Sequence, residues 1–567
     1  MAILEGWPNI QLEIRKTISA IDAKKKIVVI ETYPGVDHSE LLNSFTAAIG
    51  PSLLVNMADL YFAETEIDEI TFQDVTDDRI FGYMTRLQIG HFIDPQKLEG
   101  VKSKIDALSE GTILIIGTGA AEISNHIDLL VYADMARWEI QMRMRRKEVA
   151  NLGVNNFDLE IARKYKRAFF VDWPVADRIK KKTFQRWDFY LDSNLPGKPK
   201  LISAQQYQLG LKQSVQQPFR VVPFFDPGPW GGQWMKEVCD LDRSVDNFAW
   251  CFDCVPEENS LLLQYGDQLI ETPSINLVYF QSIPLLGEKI FARFGAEFPI
   301  RFDFLDTMGG GNLSLQVHPL TEYIREHFGM FYTQDESYYM LDTGADAVVY
   351  LGLNEGISPD EMISDLRIAQ EGQIPFDADK YVAKWPVKKH DHLLIPAGTV
   401  HCSGIDSMVL EISATPFIFT FKLWDWGRMG MDGLPRPINI EHGKEVIDWT
   451  RTAAWVEKNL IHQNRLVAQG QGWREESTGL HEYEFIETRR HWFTEPVLHQ
   501  TNGDLNVLNL IEGEEAIVES PDSSFEPFVI HYAETFIVPA NISTYTIRPF
   551  GLSEGKEIAT IKAYVRS

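Results

Sequence analysis

Gly311-Asn312-Leu313-Ser314-Leu315-Gln316-Val317-His318-Pro319 is the stretch on which the reading of this chain turns. Strand alternation sets Leu313, Leu315 and Val317 on one face and Ser314, Gln316 and His318 on the other. Gln316 and His318 then project from the same pleated surface, about 7 Å apart at a rise of ~3.3 Å per residue. That spacing lets two side chains share one metal ion, although a lone Gln-x-His more commonly marks a histidine satisfied within a core. Two later segments shift the balance. Asp335-Glu336-Ser337-Tyr338-Tyr339-Met340-Leu341 reads as a strand carrying a carboxylate, and Leu393-Leu394-Ile395-Pro396-Ala397-Gly398-Thr399-Val400-His401 as a buried strand, a Pro/Gly turn and a histidine. Gln316, His318, Glu336 and His401 together offer two imidazoles, a carboxylate and an amide, a mixed N/O set suited to Zn²⁺ or another divalent metal.

Gln-Val-His-Pro, Glu-Ser-Tyr-Tyr-Met-Leu and Pro-Ala-Gly-Thr-Val-His, in that order, resemble the metal-binding segments of type I mannose-6-phosphate isomerases. Those enzymes belong to the cupin superfamily, whose second signature is Pro-x-Gly-x-x-His. Pro227-Gly228-Pro229-Trp230-Gly231-Gly232 resembles the Trp-Gly-Gly opening of the same family, so the resemblance runs from about residue 225 to 567. It implies one Zn²⁺ or other divalent ion per chain on Gln316, His318, Glu336 and His401. It also implies a small-molecule sugar phosphate as partner: mannose 6-phosphate and fructose 6-phosphate, interconverted through an enediol intermediate.

Met408-Val409-Leu410-Glu411-Ile412-Ser413 and Phe421-Lys422-Leu423-Trp424-Asp425-Trp426-Gly427-Arg428 resemble the family's Leu-Glu strand and its Tyr-Arg-Val-Tyr-Asp-Trp segment. Glu411 and Lys422 are therefore the expected catalytic pair. Lys422 stands where the family has an arginine that faces the active site; the charge is kept and the planar fork lost. The family's Ser-Ser-Asp is replaced by Thr415-Pro416-Phe417-Ile418. Its Phe-Pro-Leu-Leu-Ile-Lys-Phe-Leu-Asp appears as Phe298-Pro299-Ile300-Arg301-Phe302-Asp303-Phe304-Leu305-Asp306, with Asp303 in place of the lysine and an Arg301–Asp303 ion pair expected. These departures keep a second reading open, a non-catalytic sugar-phosphate-binding regulatory cupin. An iron-dependent cupin oxygenase is disfavoured because Gln316 breaks the His-x-His such enzymes use.

Composition bounds the rest. A formal net charge of -28 argues against nucleic acid, whose binders carry a basic face. It says little about a small anion, which a local basic pocket can serve. No uncharged apolar run reaches ~18 residues, so no membrane span is expected. Met1–Pro8 lacks a basic n-region and an apolar core, so no secretory signal is expected. Four cysteines in 567 residues fit a reducing cytoplasm, and Cys251-Phe252-Asp253-Cys254 reads as two free thiols because no second pair completes it. Oligomeric state is not legible.

The expected architecture is multidomain: an N-terminal α/β P-loop-like parallel sheet over 1–200, an all-β cupin (double-stranded β-helix) domain over 218–435 with helical insertions, a helical segment over 436–470, and a second, cupin-like β-barrel over 471–567. Lys26–Glu31 reads as a buried strand, Thr32–Ser39 as a loop and Glu40–Ile49 as a helix. That layout resembles the Walker A loop of uridine-kinase-like proteins, degenerate here because Thr32, Asp37 and His38 replace two glycines and the lysine; no ATP binding is expected. Further strands are expected at Leu53–Asn56, Thr112–Ile116 and Ala168–Val171, with helices at Lys97–Leu108 and Trp138–Val149. Pro196, Gly197 and Pro199 mark a linker over roughly 195–217, so a fragment beginning near Val215 is expected to fold and work alone. Ser358-Pro359-Asp360-Glu361 should start a helix. Apolar spacing over 441–468 predicts another, followed by strands at Tyr483–Glu487, Leu505–Ile511, Glu515–Glu519, Thr535–Pro539 and Glu557–Tyr564. His481, His491, His499 and His531 form no paired motif, so no metal is assigned there.

Overall fold

A computed structural model describes residues 3–414, 419–429, 436, 438–479 and 484–566. The replaced Thr415–Ile418 segment, most of Leu434–Pro437 and His481 lie outside them. The chain is multidomain and rich in sheet. It divides into two compact units, one of residues 1–213, 260–280 and 327–329, the other of 214–259, 281–326 and 330–567.

The first unit is built on a seven-stranded sheet in the order Leu4–Glu5, Lys200–Ser203, Phe189–Asp192, Leu129–Asp134, Lys25–Thr32, Gly111–Gly117, Leu53–Asn56. The last five are parallel and the first two antiparallel additions. Lys25–Thr32 is central, and its Val28–Ile30 core is fully buried, as expected for a parallel strand covered on both faces. The chain runs from it to one edge and returns to its other side. The crevice beyond its carboxyl end is therefore where an open α/β sheet binds ligands. Here the protein fills it. The Glu31 carboxylate accepts from Gly119 N at 2.7 Å and Ala121 N at 2.8 Å, and Lys180 Nζ pairs with Asp134 at 2.9 Å and lies 4.2 Å from the Tyr33 ring centre. The helix His38–Ile49 begins where a phosphate would dock, but Asp37 caps it, its carboxylate accepting from Glu40 N at 2.9 Å. His38 Nε2 is turned to Asn56 Oδ1 at 2.9 Å.

Ala168–Val171 is not a strand. It belongs to a continuous helical run, Ile161–Arg167, Ala168–Asp172 and Trp173–Thr183, whose middle turn has π geometry. A helix buried nearly all round presents an unbroken apolar string that periodicity cannot tell from a strand. Pro174 has no N–H to give the preceding turn, and the Phe170 carbonyl there accepts from Thr85 N at 2.9 Å instead. The fifth parallel strand is Phe189–Asp192. The stretch 195–217 is also structured: Lys200–Ser203 is a strand and Ala204–Ser214 a helix with Tyr207 and Leu211 fully buried.

In the second unit, one antiparallel sheet runs His392–Ile395, Glu336–Thr343, Ser407–Ala414, Ile300–Asp306, Trp250–Cys254, Phe224–Asp226. A second runs Val382–Pro386, Val348–Leu353, His401–Ser403, Leu315–Val317, Phe421–Trp424. Pro359–Gln370 is the expected helical insertion, with Ser358 capping Glu361 N. The expected helix over 441–468 is two short helices, Ile440–Val446 and Ala453–Asn459, followed by a strand, Arg465–Gly470. Leu466, one of the apolar positions in that spacing, is 54 % exposed. The C-terminal part is a sandwich of two sheets: Arg465–Gly470, Trp473–Ser477, Ile486–Phe493, Ile558–Val565, Asn506–Glu512, Thr535–Val538 against Val497–Gln500, Thr544–Pro549, Glu515–Glu519, Phe528–His531.

Two expectations follow. Ser260–Phe280 packs into the first unit, where Thr272 Oγ1 meets Tyr207 Oη at 2.8 Å and the buried Asn276 donates to Asp134 at 2.8 Å. A fragment of residues 215–567 strands these groups and apolar Leu261, Leu263 and Ile270, so it should be recovered insoluble or bound to chaperone rather than as monodisperse protein. Asp37→Ala should lower stability by about 1 kcal/mol, the worth of a helix N-cap, read as a shift of the denaturant midpoint at unchanged slope.

Candidate metal centre

The two facing sheets each contribute to one cluster. Leu315–Val317 lies between His401–Ser403 and Phe421–Trp424, with Gln316 opposite His401 on one side and Lys422 on the other. Cross-strand partners share a face, so Gln316, His401 and Lys422 project together. Glu336 comes from the other sheet. His318 Nε2 stands 3.0 Å from Glu336 Oε2, His401 Nε2 2.7 Å from Glu336 Oε1, and Gln316 Nε2 3.2 Å from His401 Nε2. All four predicted ligands are thus brought together and buried. Among the described residues, His318, Glu336 and His401 are the one group of three such side chains whose ligand atoms lie within 4.8 Å of one another.

Hydrogen bonding decides the tautomers. His318 Nδ1 lies 3.1 Å from Phe419 O and His401 Nδ1 2.8 Å from Thr399 O. A carbonyl only accepts, so each Nδ1 carries a proton, and in the neutral form that ligates a metal each ring turns its Nε2 lone pair to the carboxylate. Lone pairs then face lone pairs, and His318 Nε2 and Glu336 Oε1 are buried without a hydrogen-bond partner. A cation held among Gln316, His318, Glu336 and His401 removes that conflict, so the residues fit a divalent metal.

The turn before His401 is fixed from outside. Gly398 N donates to His318 O at 2.9 Å, tying the two histidine segments together. Gly398 has φ +88°, and a Cβ there would meet Leu320 Cδ2 and Val446 O, each at 3.1 Å, so glycine is required. Ala397 N donates to Asp335 Oδ1 at 2.8 Å, while Arg451 Nη1 donates to Pro396 O at 2.8 Å and Ala397 O at 2.7 Å. Arg451 lies 50 residues beyond the histidine it steadies, and no motif announces it.

Glu411 lies beside the metal cluster. Its carboxylate pairs with Arg301 and accepts from Ser413 Oγ at 3.0 Å, and Gln334 Nε2 reaches Glu336 Oε2 at 3.1 Å and Glu411 Oε1 at 3.4 Å. Arg301 also forms the expected pair with Asp303, at 3.0 Å. Burial pushes Glu411 up to about 7 against the pull of Arg301, and raises Asp303 well above its ordinary value. Gln334 and the Arg301–Glu411 contact were not anticipated. Strand alternation put Arg301 on the face of Asp303, but the pairing of Ile300–Asp306 with Ser407–Ala414 is what brings Glu411 to it.

Comparison with known proteins adds the following. A family model described as a domain of unknown function (DUF8485) matches residues 6–216. A mannose-6-phosphate isomerase of Streptococcus mutans is 28% identical over 245 residues, covering 42% of this chain and 72% of that one. The mannose-6-phosphate isomerase ManA of Bacillus subtilis is 27% identical over 172 residues, 30% of this chain and 50% of that one, so this chain spans about half its length. The crystal structure of the mannose 6-phosphate isomerase from Bacillus subtilis matches 61% of this chain and 99% of its own with a TM-score of 0.50 at 16% identity, a likeness of fold.

The ligand geometry makes one prediction. Protein prepared without chelator should carry about one divalent ion per chain by elemental analysis, and His401→Ala should carry little while keeping its far-ultraviolet circular dichroism. A metal-replete His401→Ala protein contradicts the site.

Proposed function

We propose that this protein is a metal-dependent aldose–ketose isomerase acting on a sugar phosphate, with mannose 6-phosphate and fructose 6-phosphate the substrate pair. The observation that carries the reading is the pair of Nδ1-anchored imidazoles turned on one buried carboxylate. The relatives' names give the substrate class. Gln316, His318, Glu336 and His401 would hold a zinc or similar ion. When bound, such an ion acts as a Lewis acid that polarises a carbonyl and stabilises a negative oxygen.

Isomerisation moves a proton between C2 and C1 of the sugar and shifts the hydroxyl proton between the corresponding oxygens. Glu411 is the group we assign to accept and return the carbon-bound proton. It lies in the same buried interior as the ligands and is oriented by Arg301, Ser413 and Gln334. Lys422, half-buried and beside Gln316 on the ligand face, supplies positive charge for an anionic oxygen of the substrate. The N-terminal unit we read as a P-loop-like domain that has lost nucleotide binding, because Asp37 occupies the helix N-terminus and Glu31, Tyr33 and Lys180 fill the crevice.

A coupled assay with mannose 6-phosphate and purified protein tests this. Turnover should disappear on chelation and return with Zn²⁺ or another divalent ion. Glu411→Gln should keep its metal while losing about 10²–10⁴-fold in kcat, the usual worth of a general base. Full metal loading with no turnover would favour the regulatory, sugar-phosphate-binding reading, for which the engagement of Glu411 by Arg301 is the supporting observation.

A further inference from the structure

The C-terminal sandwich changes chemistry along its own interior. Phe493 is opposite Trp473 and Ile558, His491 opposite Glu475 and Thr560, and Arg489 opposite Ser477 and Lys562. Residues directly opposite share a face. One inward face therefore begins apolar at Trp473, Phe493 and Ile558 and turns polar within one more pair. The facing sheet does likewise: along Val497–Gln500 burial alternates, with Val497 and His499 inward and Leu498 and Gln500 outward. Phe493, Val497 and Ile558 belong to the apolar core. Beyond them Glu475, Arg489, His491, His499, Asn506 and Lys562 line a cavity of about 390 Å³. That lies within the ≈ 300–1,000 Å³ range of small-molecule sites, which favour such barrel mouths.

The polar groups there are short of partners. His491 and His499 are 3% and 2% exposed, and His491 Nδ1 and His499 Nε2 are buried with nothing to bond. Lys562 is 8% exposed, and among the described residues no carboxylate lies within ion-pair distance of its ammonium, whose recorded neighbour is the Tyr564 ring at 5.6 Å. A buried charge is normally paired, because burying it alone costs several kcal/mol; burial accordingly pushes Lys562 down to about 8. Arg489 is committed to Glu487 at 2.9 Å and approaches Glu475 at 3.9 Å. Glu475, the one carboxylate among the lining residues, approaches His491 Nε2 at 3.6 Å and acts on Lys562 through space without forming an ion pair. His499 is held flat on Tyr545, centroids 5.0 Å apart, while Tyr545 Oη donates to Asn506 Oδ1 at 3.0 Å. What the cavity lacks is an acceptor-rich guest. A cation would meet the two positive charges of Lys562 and Arg489 against the single carboxylate of Glu475.

We propose that this cavity is a second ligand site, separate from the metal centre and independent of the isomerase reading, which binds a small oxyanion of the phosphate or phosphate-monoester class. Lys562 supplies the charge, and His491 and His499 the hydrogen bonds. The ligand completes the ion pair that the fold leaves open.

The test uses the full chain with isotope-labelled histidine, the His491 and His499 signals being assigned by their loss in His491→Asn and His499→Asn. Inorganic phosphate and, separately, glucose 6-phosphate are titrated in. Saturable movement of both signals supports the site. Tighter binding of glucose 6-phosphate assigns a phosphate monoester; equal or weaker binding assigns free phosphate. Lys562→Met should weaken the response about tenfold or more, the scale of one charge-assisted hydrogen bond, with the melting temperature unchanged or raised. Lys562→Arg should restore it, separating charge from fold. Signals indifferent to both anions, an undiminished response in Lys562→Met, or movement by Zn²⁺ in place of the anions would each overturn the proposal.

Discussion

Two imidazoles cannot both turn lone pairs on one carboxylate in a dry interior unless positive charge sits between them. That constraint governs the second unit. Phe419 O and Thr399 O take the two Nδ1 protons, leaving the Nε2 atoms to face Glu336 at 3.0 and 2.7 Å. The repulsion of a buried, uncompensated carboxylate is worth several kcal/mol, more than any single packing contact nearby. A bound cation would turn the same atoms into ligands.

Positioning those atoms is a long-range task. Gln316 and His401 are separated by 85 residues yet directly opposed in the sheet. The antiparallel pairing sets their separation to a few tenths of an ångström in a way no loop could. The Pro396–Thr399 turn before His401 is irregular, and it is held by Gly398, Asp335 and Arg451. Removing the Arg451 guanidinium would leave the carbonyls of Pro396 and Ala397 unpaired without touching a ligand.

The clustering of Gln316, His318, Glu336 and His401 was readable because strand alternation is a strict code. Gln316 and His318 share a face whatever the tertiary context, and a Pro/Gly turn followed by His is a local signal. The central parallel strand, Lys25–Thr32, was readable for the same reason, as an unbroken β-branched run. What escaped depends on partners far away in sequence. Arg301 reaches Glu411 only because Ile300–Asp306 lies beside Ser407–Ala414. Gln334 and Arg451 act through hydrogen bonds that composition does not announce. Ala168–Val171 was misread as a strand because total burial erases the helical period. Ser260–Phe280 was assigned with its sequence neighbours, although its polar groups are satisfied by Tyr190, Tyr207 and Asp134.

Charge balance carries the argument about the metal one step further. Glu336, Glu411 and Asp303 are all buried in one interior, and among the described residues Arg301 is the buried cation paired with two of them. If Asp303 holds a proton, as burial directs, Arg301 answers Glu411 and Glu336 stands alone against neutral imidazoles. If Asp303 is ionised, the deficit is larger by one charge. Either way the interior is short of positive charge, and Lys422 on the half-buried rim screens it only in part. A divalent ion at the ligand cluster would offset the deficit in both cases, and with Asp303 protonated it would leave one positive charge over. A monovalent ion or a proton would neutralise Glu336 and leave nothing for chemistry. The mixed N/O donor set, with one amide in place of a third imidazole, is that of zinc and its borderline neighbours rather than of magnesium, whose sites are built from oxygen alone.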